Sequence, residues 1–209
     1  MSKEEYLISL AEEFKTDKHG NHFYMGHYAK HLPDKCRSMC EIGVAKGASA
    51  LLWNKFYGYE EIDLHLIDLF QDPNHVSVRW CRNAGFFPHQ GSQDDTRFLN
   101  SIKTKFEVIV EDGSHNSGDQ IITFKAMFLN NLVSGGLWVT EDTQCCKEKF
   151  YWNHGVENFQ DTILWMFINF KETGMIQSKF FNEGESEVFK NLIDTVDIYD
   201  EEIIFVKRK

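Results

Sequence analysis

The 209-residue chain lacks the features that mark several large classes of protein. It has no apolar run long enough to cross a bilayer, and its first residues form a charged amphipathic pattern rather than the apolar core of a signal peptide. Only 22 Lys and Arg stand against 32 Asp and Glu, which argues against a surface that binds nucleic-acid phosphates. No Cys-x-x-Cys pair recurs among the five cysteines, so a closed zinc site is not expected. These absences predict a cytoplasmic protein with reduced thiols and with no nucleic-acid or membrane partner.

Proline is also scarce, with 3 residues in the whole chain, while hydrophobic residues make up 42% of it. This composition is that of an ordinary globular protein with a full core. The length favours one domain over residues 1–209, with an N-terminal helical cap (1–35) and a core (36–209).

Short apolar runs alternate with segments of helical periodicity. The runs that predict buried strands are Ser38–Val44, Leu64–Leu69, Phe106–Val110 and Leu137–Thr140. The segments that predict helices are Ala48–Phe56, Gln120–Leu132 and Val156–Phe170, and Gly135–Gly136 is expected to separate a helix from the next strand. Such alternation indicates a parallel sheet between helices, a three-layer α/β sandwich. Ile193–Lys207 predicts an antiparallel hairpin that turns at Tyr199-Asp200.

In such a sheet, ligands bind beyond the carboxyl ends of the strands. Polar or glycine-bearing segments follow the predicted strands at Gly43–Ser49, Asp68, Gly91–Asp95, Asp112–His115 and Glu141–Asp142. We therefore expect the functional site to be built from these five segments.

The first two segments are suited to a nucleoside ligand. Glycines in Gly43–Ser49 let a ligand approach the main chain, although any tight turn between a strand and a helix favours glycine. The turn is not a Gly-x-Gly-x-x-Gly motif, which disfavours pyrophosphate binding. Asp68 can accept two hydrogen bonds from ribose hydroxyls, or it can be a helix cap or a solvated carboxylate. Ser92 and Gln93 can edge an adenine ring, whereas Asp95 is better explained as a helix cap.

Two acidic pairs carry the metal hypothesis. Glu111-Asp112 and Glu141-Asp142 each end a predicted strand, and consecutive carboxylates resist desolvation unless a cation compensates them. Neighbouring strands would bring Asp112, Glu141 and Asp142 around one point, where oxygen ligands suit Mg²⁺. Two unrelated surface acid pairs are the alternative.

His115 follows Asp112 after a glycine turn, and an imidazole there can act as a general base; a structural histidine bonded to a loop carbonyl is the alternative. Tyr151 and Trp152 follow the second acidic pair. They can wall a substrate pocket or belong to the core.

With these residues in view, the chain resembles the class I S-adenosylmethionine-dependent methyltransferases. It is most similar to the metal-dependent sugar O-methyltransferases of macrolide biosynthesis (mycinamicin and tylosin type) and of bacterial glycan clusters. The motifs that carry the resemblance are FKTDK, HFY, EIGVAKGAS, LHLIDLF, GSQDD, EDGSH, VTED and the C-terminal VDIYDEEIIFVKRK. The resemblance implies a Rossmann-like fold with a mostly parallel seven-stranded sheet and an antiparallel C-terminal hairpin.

The resemblance also implies roles for individual residues. Asp112, Glu141 and Asp142 would hold Mg²⁺ or Mn²⁺, and His115 would be the base. The residues implied in S-adenosylmethionine binding are Glu41, Gly43, Gly47, Ser49, Asp68, Ser92, Gln93, Asp94 and Asp112. Those assigned to the substrate side are Lys18, His22, Tyr24, Tyr151 and Trp152, with Thr16-Asp17-Lys18 closing over the site from the cap.

The implied activity is metal-dependent O-methylation of a hydroxyl on a sugar or glycosylated small molecule by a homo-oligomeric enzyme. One alternative is a hydroxylase or hydrolase of the cephalosporin hydroxylase-like type, but a non-haem iron oxygenase uses two histidines and one carboxylate. The other alternative is a non-catalytic protein that keeps the cofactor pocket.

The sequence departs from the family pattern at two places. The family often has Asp where this chain has Glu111, and Gly-Asp-Gln where this chain has Gly91-Ser92-Gln93.

Overall fold

A computed structural model describes residues 1–59 and 61–209, which divide into two compact units, Met1–Ser92 and Gln93–Lys209. The prediction of a single domain with a cap at 1–35 stays a prediction. Within the described ranges, no helix combines the length and the apolar composition that crossing a bilayer requires.

The first unit consists of a helical N-terminal part followed by alternating strands and helices. Its elements are α1 (Lys3–Phe14), α2 (Met25–His31), β1 (Ser38–Ile42), α3 (Ala48–Tyr57), β2 (Asp63–Asp68), α4 (Val78–Asn83) and β3 (Phe87–Gln90). The three strands are parallel in the order β3-β2-β1. Helix α1 begins with a capping box between Ser2 and Glu5, and it packs against α2 and α3.

The second unit carries the remaining strands. Its elements are α5 (Thr96–Ser101), β4 (Phe106–Glu111), α6 (Ser117–Asn130), β5 (Leu132–Thr140), α7 (Ile163–Thr173), α8 (Glu183–Leu192), β6 (Ile193–Tyr199) and β7 (Ile203–Arg208), with three short 3₁₀ helices between β5 and α7. Strands β4 and β5 are parallel, and β7 pairs antiparallel with both β5 and β6. The predicted mostly parallel α/β fold and its antiparallel C-terminal hairpin are therefore confirmed, with seven strands among the described residues.

Aromatic packing forms the core of the second unit. The Phe124 ring lies 4.8 to 5.4 Å, centroid to centroid, from the rings of Phe128, Trp138, Phe167 and Phe189. All five side chains are buried. Rings at these separations add to the stabilisation that comes from burying their area, so this cluster holds α6, α7 and α8 on the sheet.

Two predicted boundaries in the second unit are wrong. Gly135–Gly136 does not separate a helix from a strand but lies inside β5. Gly135 has φ 74°, and the pairing register with β4 shifts at this point, so the glycines form an irregularity in the strand. The helix predicted over Val156–Phe170 begins only at Ile163, because the Thr162 hydroxyl caps it by accepting from the Trp165 N–H.

A pair of histidines on β2 and β3 makes the stability of the first unit depend on pH. His65, 8% exposed, has its Nδ1 at 2.8 Å from His89 Nε2. Burial, with a smaller contribution from the charge of His89, lowers the pKa of His65 to about 4, although Asp63 acts in the opposite direction. In the unfolded chain a histidine titrates near pH 6.5. Between pH 6.5 and 4 the unfolded state binds one more proton at His65 than the folded state does. The contribution of His65 to the free energy of unfolding is therefore fully present above about pH 6.5 and is lost as the pH falls towards 4.

We expect His65→Gln to flatten this acid dependence. One proton of difference gives a slope of about 1.4 kcal/mol per pH unit in the free energy of unfolding, and the variant should lose up to that amount of slope. Urea titrations between pH 7 and 4.5 measure it, with the exposed His75→Gln as the control. Equal slopes in the wild type and His65→Gln would contradict the assignment.

Candidate functional site

In the first unit, the predicted glycine turn joins β1 to α3. Gly43 and Gly47 have φ values of 88° and 76°, in the left-handed region that favours glycine. A Cβ atom on Gly47 would lie 2.6 Å from the ring of Trp80, so no larger residue fits without rearrangement. Ser49 is buried in the first turn of α3.

Asp68 holds this turn to the end of β2. Its Oδ2 accepts from the Val44 N–H at 2.8 Å, and its Oδ1 accepts from the Phe70 N–H at 3.0 Å. A carboxylate oxygen has two lone-pair sites, so each oxygen can accept one more hydrogen bond. The predicted role of Asp68 towards a ribose is compatible with these contacts and stays a prediction.

Glu41 lies in the interior of the first unit. Its Oε1 accepts from Trp53 Nε1 at 3.0 Å and lies 3.9 Å from Lys18 Nζ. Glu41 and Lys18 are only 0% and 1% exposed. Opposite charges offset part of the cost of burying each of them. The structure thus places the acid predicted to bind the cofactor beside the lysine predicted to face the substrate.

The two remaining cap residues assigned to the substrate side lie in contact with each other. The rings of His22 and Tyr24 are stacked with centroids 4.9 Å apart, and Tyr24 is buried.

In the second unit, the structure brings Asp112, His115 and Asp142 together. One ligand atom from each lies within 4.8 Å of the other two. His115 Nδ1 is 3.6 Å from Asp142 Oδ2 and 3.9 Å from Asp112 Oδ1. Asp112 follows β4 and Asp142 follows β5, so adjacent parallel strands position the two carboxylates, as the sequence predicted.

His115 and Asp142 both have left-handed backbone conformations, with φ values of 58° and 55°. Such conformations are uncommon outside glycine, although Asp and His adopt them more readily than most residues. They persist where the surrounding contacts fix the backbone, and they are concentrated at functional sites. Here they turn the side chains that follow two neighbouring strands towards one another.

Glu141, the third predicted ligand, lies outside this group. It is 1% exposed, and it is not among the described residues whose ligand atoms share the 4.8 Å cluster with Asp112 and Asp142. Its neighbour along the chain, Asp142, points into the cluster instead. The ligand role of Glu141 remains a prediction.

Glu111 and Gln93 form a support behind the loop that carries His115. The Gln93 side chain donates from Nε2 to Glu111 Oε1 at 2.9 Å and accepts from the Ser114 N–H at 2.7 Å. Burial raises the pKa of Glu111 to about 8, although hydrogen bonds from Gln93 and Gly113 act in the opposite direction. Burial thus favours the neutral form of this carboxyl, which lies next to Asp112 in the chain.

Gln93 was predicted to edge an adenine ring together with Ser92, and the resemblance assigned Asp94 to cofactor binding. Gln93 is 8% exposed, and its amide is engaged with Glu111 and Ser114, whereas Ser92 and Asp94 are half-buried. A Cβ on Gly113 would lie 1.9 Å from Gln93 Oε1, which explains the glycine in Glu-Asp-Gly-Ser-His. Contacts between residues so far apart in the chain, such as those of Gln93 with Glu111 and Ser114, leave no pattern in a single sequence.

Sequence reasoning missed a second group of side chains, formed by Asp94, Asp119 and His154. His154 Nε2 lies 2.8 Å from Asp119 Oδ1 and 3.2 Å from Asp94 Oδ2. The available signal was weak: an acid in the first turn of a helix is usual and points to no partner.

Tyr151 and Trp152, the residues predicted to wall a substrate pocket, are half-buried at the end of a 3₁₀ helix, Lys149–Tyr151. Trp152 Nε1 donates to the Cys146 carbonyl at 2.9 Å, and the neighbouring Phe150 is 87% exposed. These two side chains therefore belong to the loop that follows Asp142 rather than to the core.

Comparisons with known proteins show similarity to sugar O-methyltransferases in sequence and in fold. It is 30% identical over 151 residues to L-olivosyl-oleandolide 3-O-methyltransferase of Streptomyces antibioticus, covering 66% of this chain and 37% of that protein. It is also 30% identical over 155 residues to mycinamicin VI 2''-O-methyltransferase of Micromonospora griseorubida, covering 68% and 37%. A tetracenomycin rhamnoside 2'-O-methyltransferase of Streptomyces olivaceus is 28% identical over 148 residues, covering 66% and 38%. The matched part thus spans little more than a third of each relative's length.

No protein-family model matches the chain. Among solved structures, the MycE methyltransferase of the mycinamycin pathway, in complex with Mg, SAH and mycinamycin VI, has a TM-score of 0.77 at 22% identity and covers 99% of this chain and 55% of its own. The chain therefore has the class I S-adenosylmethionine-dependent methyltransferase fold and is a homologue of the sugar O-methyltransferases of macrolide and tetracenomycin pathways.

Proposed function

We propose that the protein is an S-adenosylmethionine-dependent and divalent-metal-dependent O-methyltransferase that acts on a hydroxyl of a sugar or glycosylated small molecule. The observation that carries the proposal is the meeting of Asp112, Asp142 and His115 at the ends of two parallel strands. The named activities of the relatives support the choice of acceptor class.

The donor set fits a hard divalent cation. Two carboxylates supply the oxygen ligands that Mg²⁺ and Mn²⁺ favour, and Asp112 and Asp142 would hold the ion. His115 Nδ1 is buried, makes no hydrogen bond among the described residues, and faces the same two carboxylates. A bound cation would lower the pKa of a neighbouring hydroxyl.

The first unit has features that suit S-adenosylmethionine, which supplies an electrophilic methyl group. The turn at Gly43–Gly47 exposes main chain without side chains at its glycines, and Asp68 retains acceptor capacity for ribose hydroxyls. Asp94 remains a candidate for the adenine side.

In the proposed reaction, His115 takes the proton of the acceptor hydroxyl. Its Nδ1 faces the carboxylates of Asp112 and Asp142, so Nε2 is the ring nitrogen left to receive the proton. Bound S-adenosylmethionine would supply the electrophilic methyl group for the deprotonated hydroxyl and would leave as the neutral thioether. The protein contributes alignment of oxygen, methyl carbon and sulfur.

The rival activities fit the geometry less well. A non-haem iron oxygenase uses two histidines and one carboxylate, whereas this group has the reverse ratio. A protein that only binds the cofactor would not need an imidazole set against two carboxylates.

We also propose a reducing compartment such as the cytoplasm, because the five cysteines, all described, form no disulfide and four of them are buried. Homo-oligomerisation, and the absence of nucleic-acid and membrane partners, remain predictions.

Transfer of a labelled methyl group from S-adenosylmethionine to a panel of glycosides tests the function. The panel should include olivosyl and rhamnosyl compounds, because the relatives' names specify them. We expect transfer with Mg²⁺ or Mn²⁺ and none to the matching aglycones. Tight cofactor binding without transfer to any glycoside would favour the non-catalytic alternative, and hydroxylation that depends on iron and 2-oxoglutarate would favour the oxygenase.

A further inference from the structure

Four side chains from two loops contact the carboxylate of Asp119, in the first turn of α6, and three of them donate hydrogen bonds to it. Its Oδ2 accepts from Ser114 Oγ at 2.5 Å and from Asn116 Nδ2 at 3.4 Å. Its Oδ1 accepts from Asn153 Nδ2 at 2.7 Å, and His154 Nε2 lies 2.8 Å from the same oxygen. Asp119 is 7% exposed, so these contacts are largely shielded from water. Hydrogen bonds to a charged acceptor are stronger than those between neutral groups.

One half of this network fixes the backbone around His115. Ser114 is held at its hydroxyl by Asp119 and at its N–H by Gln93, and its Oγ also accepts from the Asn116 N–H at 3.2 Å. His115 lies between Ser114 and Asn116 in its left-handed conformation. Such a conformation persists only where neighbouring contacts determine it. Asp119 therefore controls the direction of the imidazole without touching it.

The other half fixes the segment Tyr151–His154. Asn153 and His154 bind Asp119, and Trp152 binds the Cys146 carbonyl. The segment also lies directly on α6, since a Cβ on Gly118 would be 2.4 Å from Asn153 Oδ1 and 2.6 Å from the Asn153 carbonyl oxygen. This segment carries the two aromatic residues predicted to face the substrate.

We propose that Asp119 is a positioning residue that sets the loop of the general base and the acceptor-side segment relative to each other. The proposal rests on the proposed function, because it takes His115 as the base and Tyr151–His154 as the acceptor side. The proposal states that the buried carboxylate of Asp119 contacts both the loop that carries His115 and the segment Tyr151–His154, and so holds both at the same turn of α6.

The first experiment observes His115 directly and does not depend on activity. Long-range ¹H–¹⁵N spectra resolve histidine rings, and the His115 signal is the one lost in His115→Asn. We expect Asp119→Asn and Ser114→Ala to shift or broaden this signal. Asp161→Asn is the matched control, because Asp161 is likewise a hydrogen-bonded aspartate of the second unit. It accepts from the Glu157 N–H and pairs with Lys179, but has no contact with residues 112–116 among those described.

The second experiment separates the two halves of the network by kinetics. In Asp119→Asn, kcat should fall at least about tenfold, as expected for a misplaced reacting group, while the Kd of S-adenosylmethionine changes less than about twofold. Ser114→Ala should reproduce the loss in kcat. His154→Gln should raise the KM of the acceptor several-fold and leave the His115 signal in place.

An unchanged His115 signal in Asp119→Asn and Ser114→Ala, or changes no larger than in Asp161→Asn, would overturn the proposal. If Asp119→Asn fails to fold, Ser114→Ala tests whether the network positions the loop that carries His115, and His154→Gln tests whether it positions the acceptor-side segment. An inactive wild type would refute the proposed function, while the spectra still test whether Asp119 fixes the ring.

Discussion

Replacement of Asp112 by asparagine should weaken the binding of divalent cations about a hundredfold or more and reduce methyl transfer accordingly. The amide keeps the shape of the side chain but loses the charge that a hard cation requires. Removal of residues that only support metal ligands already costs roughly 10- to 100-fold in affinity, so loss of a ligand should cost at least as much. Titration with Mn²⁺ measures binding directly, and excess Mg²⁺ or Mn²⁺ should restore part of the activity.

The matched control is Glu107→Gln, which likewise converts a carboxylate into an amide and lies on β4, the strand that Asp112 follows. It should leave cation binding and activity unchanged. Chelation of the wild type should abolish transfer, and added Mg²⁺ should restore it. Full activity of Asp112→Asn in metal-free buffer would remove the cation from the mechanism, whereas loss of activity with unchanged Mn²⁺ binding would assign Asp112 another role.

The sequence predicted β1, β2, β4 and the second half of β5 because most of the residues in these segments are buried. In β4, Val108, Ile109 and Val110 are all 0% exposed, and this burial gives the continuous apolar run that identifies a central parallel strand. The cluster of Asp112, His115 and Asp142 could be predicted for the same reason. Once two such strands are adjacent and parallel, the residues that follow them lie at the same edge.

Residues whose role depends on a distant partner could not be assigned in this way. The sequence around Lys18 does not indicate that its ammonium lies 3.9 Å from Glu41, 23 positions along the chain. Similarly, Gln93 lies in a turn that suggested ligand contact, yet its amide joins Glu111 to Ser114. Side chains of the same type serve a ligand or another side chain equally well, and only the tertiary structure distinguishes them.

Helix α8 was missed although its start carries a recognisable signal. Asn182 and Glu185 form a capping box, with the Asn182 side chain accepting from the Glu185 N–H and the Glu185 side chain accepting from the Asn182 N–H. The helix buries only Ser186 and Phe189, so few apolar residues mark it in the sequence. The capping-box residues Asn182 and Glu185 are therefore the sequence signal that predicts α8.

The general base is best tested with His115→Asn rather than with alanine alone. His115 has φ 58°, and asparagine tolerates this left-handed conformation, whereas alanine adds a backbone penalty to the loss of the ring. The asparagine variant therefore removes the imidazole and keeps the loop. We expect kcat to fall about 10² to 10⁴-fold, the range that a positioned general base contributes.

Cofactor affinity separates a catalytic from a structural histidine. Asp68, proposed to bind the ribose of S-adenosylmethionine, accepts from the Val44 and Phe70 N–H groups and not from His115, so the Kd of the cofactor should change less than about twofold in His115→Asn. His115→Ala should show the same loss in kcat together with a lower unfolding temperature, because of its backbone. Parallel losses of kcat and cofactor affinity in the asparagine variant would mean that the ring holds the site together. Loss of turnover alone, with Mn²⁺ binding largely retained, would identify the imidazole as the group that takes the proton.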